Sequence, residues 1–328
     1  MWGIHLLGAV TLALSLHLLA AATVEDILFA VLLVLFAIFV ADECLLRYHS
    51  RQLEAIAPRV DGVAVVTGAS SGLGREIAYL LGEKGFHLVL VGRSKERLER
   101  IAVEIHDVWD VHVHVCVTDL GTPAGPPTIV DFVASLKLEI DILVNCAGGT
   151  QRGVFSTLSS TTITDMMQLN VLSVTSLCHL VLPSMLARKS GRILNISSIS
   201  GANAMPLAAM YAASKAFMLR LSQGLAFECR GQVGVTAFCP GPLRTQFATT
   251  TGSANSIMFK LPFFVHDVNV AAKCAVASML DGDVIAFDSW MSKLLYFAGS
   301  TFAEKRLTLT LSACCWSDMD AIRDAIWS

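Results

Sequence analysis

Charge is what this chain has least of. Only 16% of its 328 residues are Asp, Glu, Lys or Arg, while 54% are hydrophobic; an ordinary soluble domain carries about 25% charged residues. The net charge of −3 supplies no basic patch, which removes the electrostatic case for nucleic acid as a partner. Cys-x-x-Cys pairs are absent too. The nine cysteines lie scattered, most inside apolar runs such as Val115-Cys116-Val117. They read as small buried hydrophobes in a reducing compartment rather than as disulfides or a zinc site. His112 and His114 alternate along one stretch, but no third ligand accompanies them in the sequence, so no metal is expected. Internal repeats and low-complexity segments are likewise missing. The length allows one large domain with an appendage, or two small domains.

The shortage of charge is sharpest at the start. Met1 to Val24 contains no charged residue, and after Glu25-Asp26 a second uncharged run covers Ile27 to Ala41. A membrane span needs about 20 apolar residues, so the first run suffices and the second is short alone. A cleaved signal peptide, a single anchor and a hairpin turning at Glu25-Asp26 compete. No positive leader precedes the first run, which favours a retained anchor over residues 1–46. Arg47, Arg51 and Arg59 follow it, and basic flanks prefer the cytoplasmic side, so the folded part is expected in the cytosol.

From Val63 onward, short apolar runs alternate with helical stretches. Strands are expected at Val63–Val66, His87–Val91, Val111–Val117, Ile142–Val144, Arg192–Ile196 and Val233–Phe238, with a last one at Val284–Phe287. Helices are expected at Arg75–Lys84, Lys95–Val108, Thr128–Leu138, Met166–Ala187 and Tyr211–Cys229, and from a cap at Asp267 to about Leu280. Gly121 to Pro127 reads as a loop. Such alternation predicts an α/β fold, a Rossmann-type doubly wound parallel sheet, over residues 59–290. The 291–328 extension is less defined. Trp290 to Phe297 is apolar and suits a dimer surface, a membrane-dipping helix or a pocket roof, while Trp316, Met319, Ile322 and Ile326 fall near helical spacing.

Three signals carry chemistry. Thr67-Gly68-Ala69-Ser70-Ser71-Gly72-Leu73-Gly74 follows the first strand and opens a helix, where glycines admit a pyrophosphate and the helix N-terminus offers N–H donors. At the end of the second strand, where an acidic residue would favour NAD(H), stands Gly92-Arg93-Ser94. Arg93 suits a 2′-phosphate, which favours NADP(H), though a solvated loop arginine would look the same. Asp119, past the third strand, either accepts from an adenine amine or starts the next turn. Finally, Tyr211 and Lys215 lie four apart and share one helical face. A free tyrosine has a pKa near 10, and an adjacent ammonium is expected to lower it into a useful range.

With these residues in order, the chain resembles the short-chain dehydrogenase/reductase family. Ser198 lies 13 residues before Tyr211, and Asn170 lies 28 before Ser198. Asn145-Cys146-Ala147-Gly148 is similar to the family's Asn-Asn-Ala-Gly turn, with Cys146 in place of the second asparagine. Pro240-Gly241 and Thr245 follow the sixth strand in family order. The resemblance implies that Tyr211 is the proton carrier and that Lys215 lowers its pKa and binds the nicotinamide ribose. It also implies that Ser198 bonds the substrate oxygen, that Asn170 holds a relay water and that Thr245 contacts the nicotinamide. Gly68, Ser70, Ser71, Gly72, Leu73 and Gly74 would line the pyrophosphate, with Asn145, Ala147 and Gly148 supporting the cofactor. The N-terminal anchor, Gly92-Arg93-Ser94-Lys95 and Cys239-Pro240-Gly241-Pro242 look like the membrane-bound group that includes the 11β- and 17β-hydroxysteroid dehydrogenases, retinoid reductases and 3-ketoacyl-CoA reductases, and Thr150-Gln151-Arg152 with the Pro242 loop is most similar to members near the 11β enzymes. That likeness implies a lipophilic carbonyl or alcohol substrate, contact with membrane lipid, an endoplasmic-reticulum location and a homodimer. Met205, Pro206 and Leu207 are expected near the substrate, and Phe247 to Phe264 reads as a lid over a lipid-like substrate or as a packed surface loop. Asn195-Ile196-Ser197 fits a glycosylation acceptor but falls in an expected core strand, and is read as a false match.

Overall fold

The computed structural model describes residues 53–245 and 265–302, with scattered positions between 26 and 40. The expected lid and terminal amphipathic helix lie outside the described residues, as does most of the expected anchor. The chain divides into two compact units, Met1–His49 and Ser50–Ser328. In the first, the described positions are helical, and Phe29, Val31, Leu33, Phe36 and Val40 expose their side chains.

The second unit is built on a seven-stranded sheet, β1 (Gly62–Thr67), β2 (His87–Gly92), β3 (Val113–Val117), β4 (Glu139–Asn145), β5 (Arg192–Ile196), β6 (Gly234–Phe238) and β7 (Ile285–Ala286). All pairings are parallel, in the order β3-β2-β1-β4-β5-β6-β7. The helices are α1 (Gly72–Glu83), α2 (Lys95–Trp109), α3 (Gly125–Ser135), α4 (Ser160–Met167), α5 (Ser173–Arg188), α6 (Ala209–Glu228), α7 (Val268–Asp281) and α8 (Trp290–Phe302). The strands read as unbroken apolar runs because both sheet faces are covered. Alternate side chains of β1 feed two cores. Ala64 and Val66 meet Ile77, Leu81, Leu98, Ile105 and Ala275 on one side. Val63 and Val65 meet Ile129, Val133, Leu177, Val181 and Met218 on the other. Sequence order reverses between β1 and β4, and a crevice at that switch point is where such sheets take ligands.

Boundaries differ from expectation where local chemistry was misread. The Pro/Gly stretch is not all loop, because α3 starts at Gly125 and places Pro126 and Pro127 in its first turn, where no N–H is needed. The long helix expected from Met166 begins at Ser160 and contains a π turn, Gln168–Leu172, between α4 and α5. Among the described residues this one helix, Ser160–Arg188, is long and apolar enough to cross a membrane. Val174, Leu177, Val181 and Met185 pack one face of it into the sheet's own core, while Leu172 and Leu180 are exposed on it. Asp267 caps α7 by accepting from the Asn269 N–H at 2.7 Å, as expected. Asn195 is fully buried in β5, out of reach of glycosylation. The apolar Trp290 stretch is α8, which packs on the 3-10 turn Ile199–Ala202 and exposes Trp290, Leu294 and Phe297.

A third histidine joins the strand pair. His87 stacks on His112 with ring centroids 4.8 Å apart, and its Nδ1 accepts the His112 N–H at 3.1 Å, which requires a neutral ring. Burial first, then His112, holds the pKa of both His87 and His114 below the ordinary value. With the folded pKa depressed, the unfolded chain takes up protons first, so stability falls as pH drops below about 6.5. Thermal unfolding between pH 7 and pH 5 should therefore show a loss of Tm that His87→Asn/His114→Gln reduces. Parallel curves for the two proteins would refute this.

Candidate active site

The C-terminal edges of β1 and β4 are stitched by one hydroxyl. Thr67 Oγ1 donates to the Val144 carbonyl at 3.0 Å and accepts from the N–H groups of Cys146 at 3.0 Å and Ala147 at 3.1 Å. The loop after β1 then passes against that turn. Gly68 has φ +67°, and a Cβ there would lie 2.9 Å from the Ala147 nitrogen, while a Cβ at Gly74 would lie 2.5 Å from the Gly68 carbonyl oxygen. Only glycine fits either place. The first turn of α1 receives no side-chain cap from Ser71, so its N–H groups remain available to an anion. Thr245 flanks this loop, its side-chain carbons 3.6 Å from where a Gly72 Cβ would stand. These features fit a dinucleotide pyrophosphate.

Arg93 is exposed at the end of β2, next to Gly92, whose added Cβ would approach Ser70 Oγ to 3.7 Å. Ser94 begins α2 without a side-chain cap. Asp119, exposed past β3, accepts the Gly121 N–H on Oδ1 at 2.8 Å and so starts the turn. Asn145 turns into the core, donating to Asn195 Oδ1 at 2.8 Å, and supports the site from beneath. Cys146 is held by its backbone, and burial pushes its thiol up to about 12.

Across the crevice, the exit of β5 and the start of α6 meet. Lys215 Nζ donates to the Ile196 carbonyl at 2.7 Å and the Ser197 hydroxyl donates to the Lys215 carbonyl at 2.8 Å, so the helix is clipped to the strand at Lys215 itself. Its ammonium stands 5.7 Å from the Tyr211 ring centroid. Ser198 Oγ donates to Ser200 Oγ at 2.9 Å and accepts from the Ser200 N–H at 3.1 Å, which fixes its rotamer beside Tyr211. Gly148 abuts both partners of this centre: a Cβ there would reach Asn170 Oδ1 at 3.3 Å and Lys215 Nζ at 3.6 Å. The Asn170 side chain also clamps this turn. Asn170 accepts from the Gly149 N–H at 2.9 Å and donates to the Gly149 carbonyl at 2.7 Å and to Ser214 Oγ at 3.2 Å. Met205 is buried against Tyr211 as part of the wall, and Leu207 is held at φ +65° with its carbonyl accepting from the Gly153 N–H at 2.9 Å.

Tyr211 keeps part of its ring accessible yet lies deep in protein, and burial pushes its pKa up to about 12, with a Ser198 hydrogen bond pulling the other way. The Lys215 ammonium is desolvated in the same way, its pKa pushed down to about 8. The phenol is therefore held protonated at neutral pH. Thr67 and Ser214 were missed by sequence reasoning. A threonine ending β1, directly before the glycine loop, was the available signal for the first, and nothing local marked the second.

A parallel sheet with a glycine loop at its switch point and a Ser-Tyr-Lys cluster across the crevice defines a dinucleotide-binding protein of the oxidoreductase type. Residues 62–256, more than half of the chain, match the short chain dehydrogenase family, and the chain belongs to it. It is 39% identical over 184 residues to a very-long-chain 3-oxoacyl-CoA reductase of Anas platyrhynchos, covering 54% of this chain and 58% of that protein. It is 31% identical over 219 residues to the inactive hydroxysteroid dehydrogenase-like protein 1 of Pongo abelii, covering 66% and 65%. The chain thus spans less than two thirds of either relative. Among solved structures, a short-chain dehydrogenase of Sphingobium yanoikuyae in complex with NADPH superposes with a TM-score of 0.65 at 30% identity, covering 75% of this chain and 97% of that one.

Replacing Thr67 by isosteric valine removes an acceptor from two backbone N–H groups, at a cost of about 1–3 kcal/mol. Thr67→Val should lower Tm by roughly 2–4 °C per kcal/mol and weaken dinucleotide binding. An unchanged Tm would show that the hydroxyl does not hold the turn.

Proposed function

We propose that this protein is an NADP(H)-dependent oxidoreductase that interconverts a carbonyl and an alcohol on a lipophilic substrate, a steroid, a retinoid or a similar molecule. The observation that carries this reading is the convergence of Ser198, Tyr211 and Lys215 on one crevice beside the glycine loop. Bound NADPH would supply hydride to the carbonyl carbon. Tyr211, held protonated, would give its phenolic proton to the carbonyl oxygen, and Ser198 would donate a hydrogen bond to that oxygen as charge develops. Lys215 would bind the nicotinamide ribose and Asn170 would hold the turn against which the ribose lies. Arg93 would meet the 2′-phosphate and Thr245 the nicotinamide end. In oxidation the same groups act in reverse.

The apolar N-terminal runs support anchoring in the endoplasmic-reticulum membrane with the catalytic unit in the cytosol. A second copy of the chain would pair on the faces of α5 and α6, where Leu180, Phe217 and Phe227 are exposed. The duck reductase's name supports a narrower second reading, reduction of 3-ketoacyl-CoA. The relative called inactive supports a third, a cofactor-binding scaffold without turnover. Steroids, retinal, 3-ketoacyl-CoAs and aromatic carbonyls, each offered with NADPH to the membrane-extracted protein, separate the substrate classes.

Removing a general acid costs about 10²–10⁴-fold in rate. Tyr211→Phe should lower NADPH consumption by that factor, and equal rates for variant and wild type would reject the mechanism. Hydrogen bonds to charged groups contribute about 1.5–3 kcal/mol, so Arg93→Ala should weaken NADPH binding about tenfold or more and leave NADH nearly unchanged. Equal losses for both cofactors would remove the 2′-phosphate role.

A further inference from the structure

The segment leaving β6 runs the width of the crevice. At one end the Pro240 carbonyl accepts the Ile199 N–H at 3.1 Å, one residue from Ser198. At the other, Thr245 stands against Gly72 of the phosphate loop. Midway, the Gly241 N–H donates to Asp288 Oδ1 at 3.1 Å. The side chain of Asp288 is wholly buried, and its other oxygen, Oδ2, meets His266 Nδ1 at 2.5 Å. The His266 backbone lies along the same segment: its N–H donates to the Pro242 carbonyl at 2.9 Å and its carbonyl accepts the Arg244 N–H at 3.0 Å, closing a parallel bridge with Leu243. Gly241 sits directly on this pair. A Cβ there would come within 2.8 Å of Ser292 Oγ, 3.8 Å of Asp288 Oδ2 and 3.9 Å of His266 Cε1.

A buried carboxylate with one oxygen on a loop N–H and the other on an imidazole is costly unless both bonds are kept. We propose that His266 and Asp288 are positioning residues for the nicotinamide half of the cofactor, locking the 240–245 segment so that Thr245 faces the site at a fixed distance from Ser198. His266 orients Asp288, and Asp288 fixes Gly241. Neither touches the reacting atoms. This inference rests on the dinucleotide reading above.

The test is NADPH binding to the purified full chain, followed by the cofactor's fluorescence. His266→Phe keeps a ring and loses the N–H, and should raise the Kd for NADPH about tenfold, equivalent to about 1.4 kcal/mol. His266→Asn places its Nδ2 at the same number of bonds from Cα as Nδ1, and should restore the Kd to within about threefold of wild type. Val276→Ala, a cavity in the buried face of α7, should lower Tm at least as much and leave the Kd unchanged. If His266→Phe does not fold, His266→Leu takes its place. Wild-type binding with equal Kd in His266→Phe, or equal Kd losses in His266→Phe and Val276→Ala, overturns the positioning role alone. A wild-type chain that binds no NADPH overturns the cofactor reading and this one with it.

Discussion

At the catalytic edge, β1 and β4 lie side by side while their onward chains leave for opposite faces of the sheet. The divergence opens the crevice, and the Thr67 hydroxyl keeps it from spreading, since one oxygen serves a carbonyl and two N–H groups across the gap. Every other feature of the site depends on that join. The glycine loop can touch the Ala147 backbone only because the two strand ends are held together. Gly148 then carries the turn against Asn170 and Lys215, which ties the glycine-loop side of the crevice to the Tyr211 side.

Burial acts on both members of the Tyr211–Lys215 pair. Tyr211 and Lys215 are neighbours, as their spacing implies, yet each is pushed towards its neutral form because the crevice desolvates both. A phenol kept protonated is ready to donate, which suits carbonyl reduction. A lysine stripped of water is a poor contribution to stability, and it remains at home through two bonds to the β5 exit that also set the angle of α6. The same group is a clip for the fold and a charge for the site.

The sheet was legible because parallel strands covered on both faces leave long apolar runs, and the glycine loop because its demands are met within a few residues of backbone. Pro126 and Pro127 misled, since proline marks a loop in most contexts yet suits a helix's first turn. Asn170 was found by its distance from Ser198, but its bonds to Gly149 and Ser214 span 21 and 44 residues of chain. Pattern reading does not reach that far. His266 and Asp288 carried no local signal either, being 22 residues apart and brought together only by the return of the chain to β7.

The sequence by itself determined the alternating elements, the identities at the glycine loop, the Tyr211–Lys215 face and the apolar start of the chain. Each is set by neighbours a few bonds away, through backbone sterics, helical periodicity or simple hydrophobicity. Tertiary structure alone decided the desolvation of Tyr211, the partners of Asn170, the packing of one face of Ser160–Arg188 into a core and the clasp on Gly241. These depend on desolvation and on contacts between distant segments, quantities that exist only once the chain has closed around them.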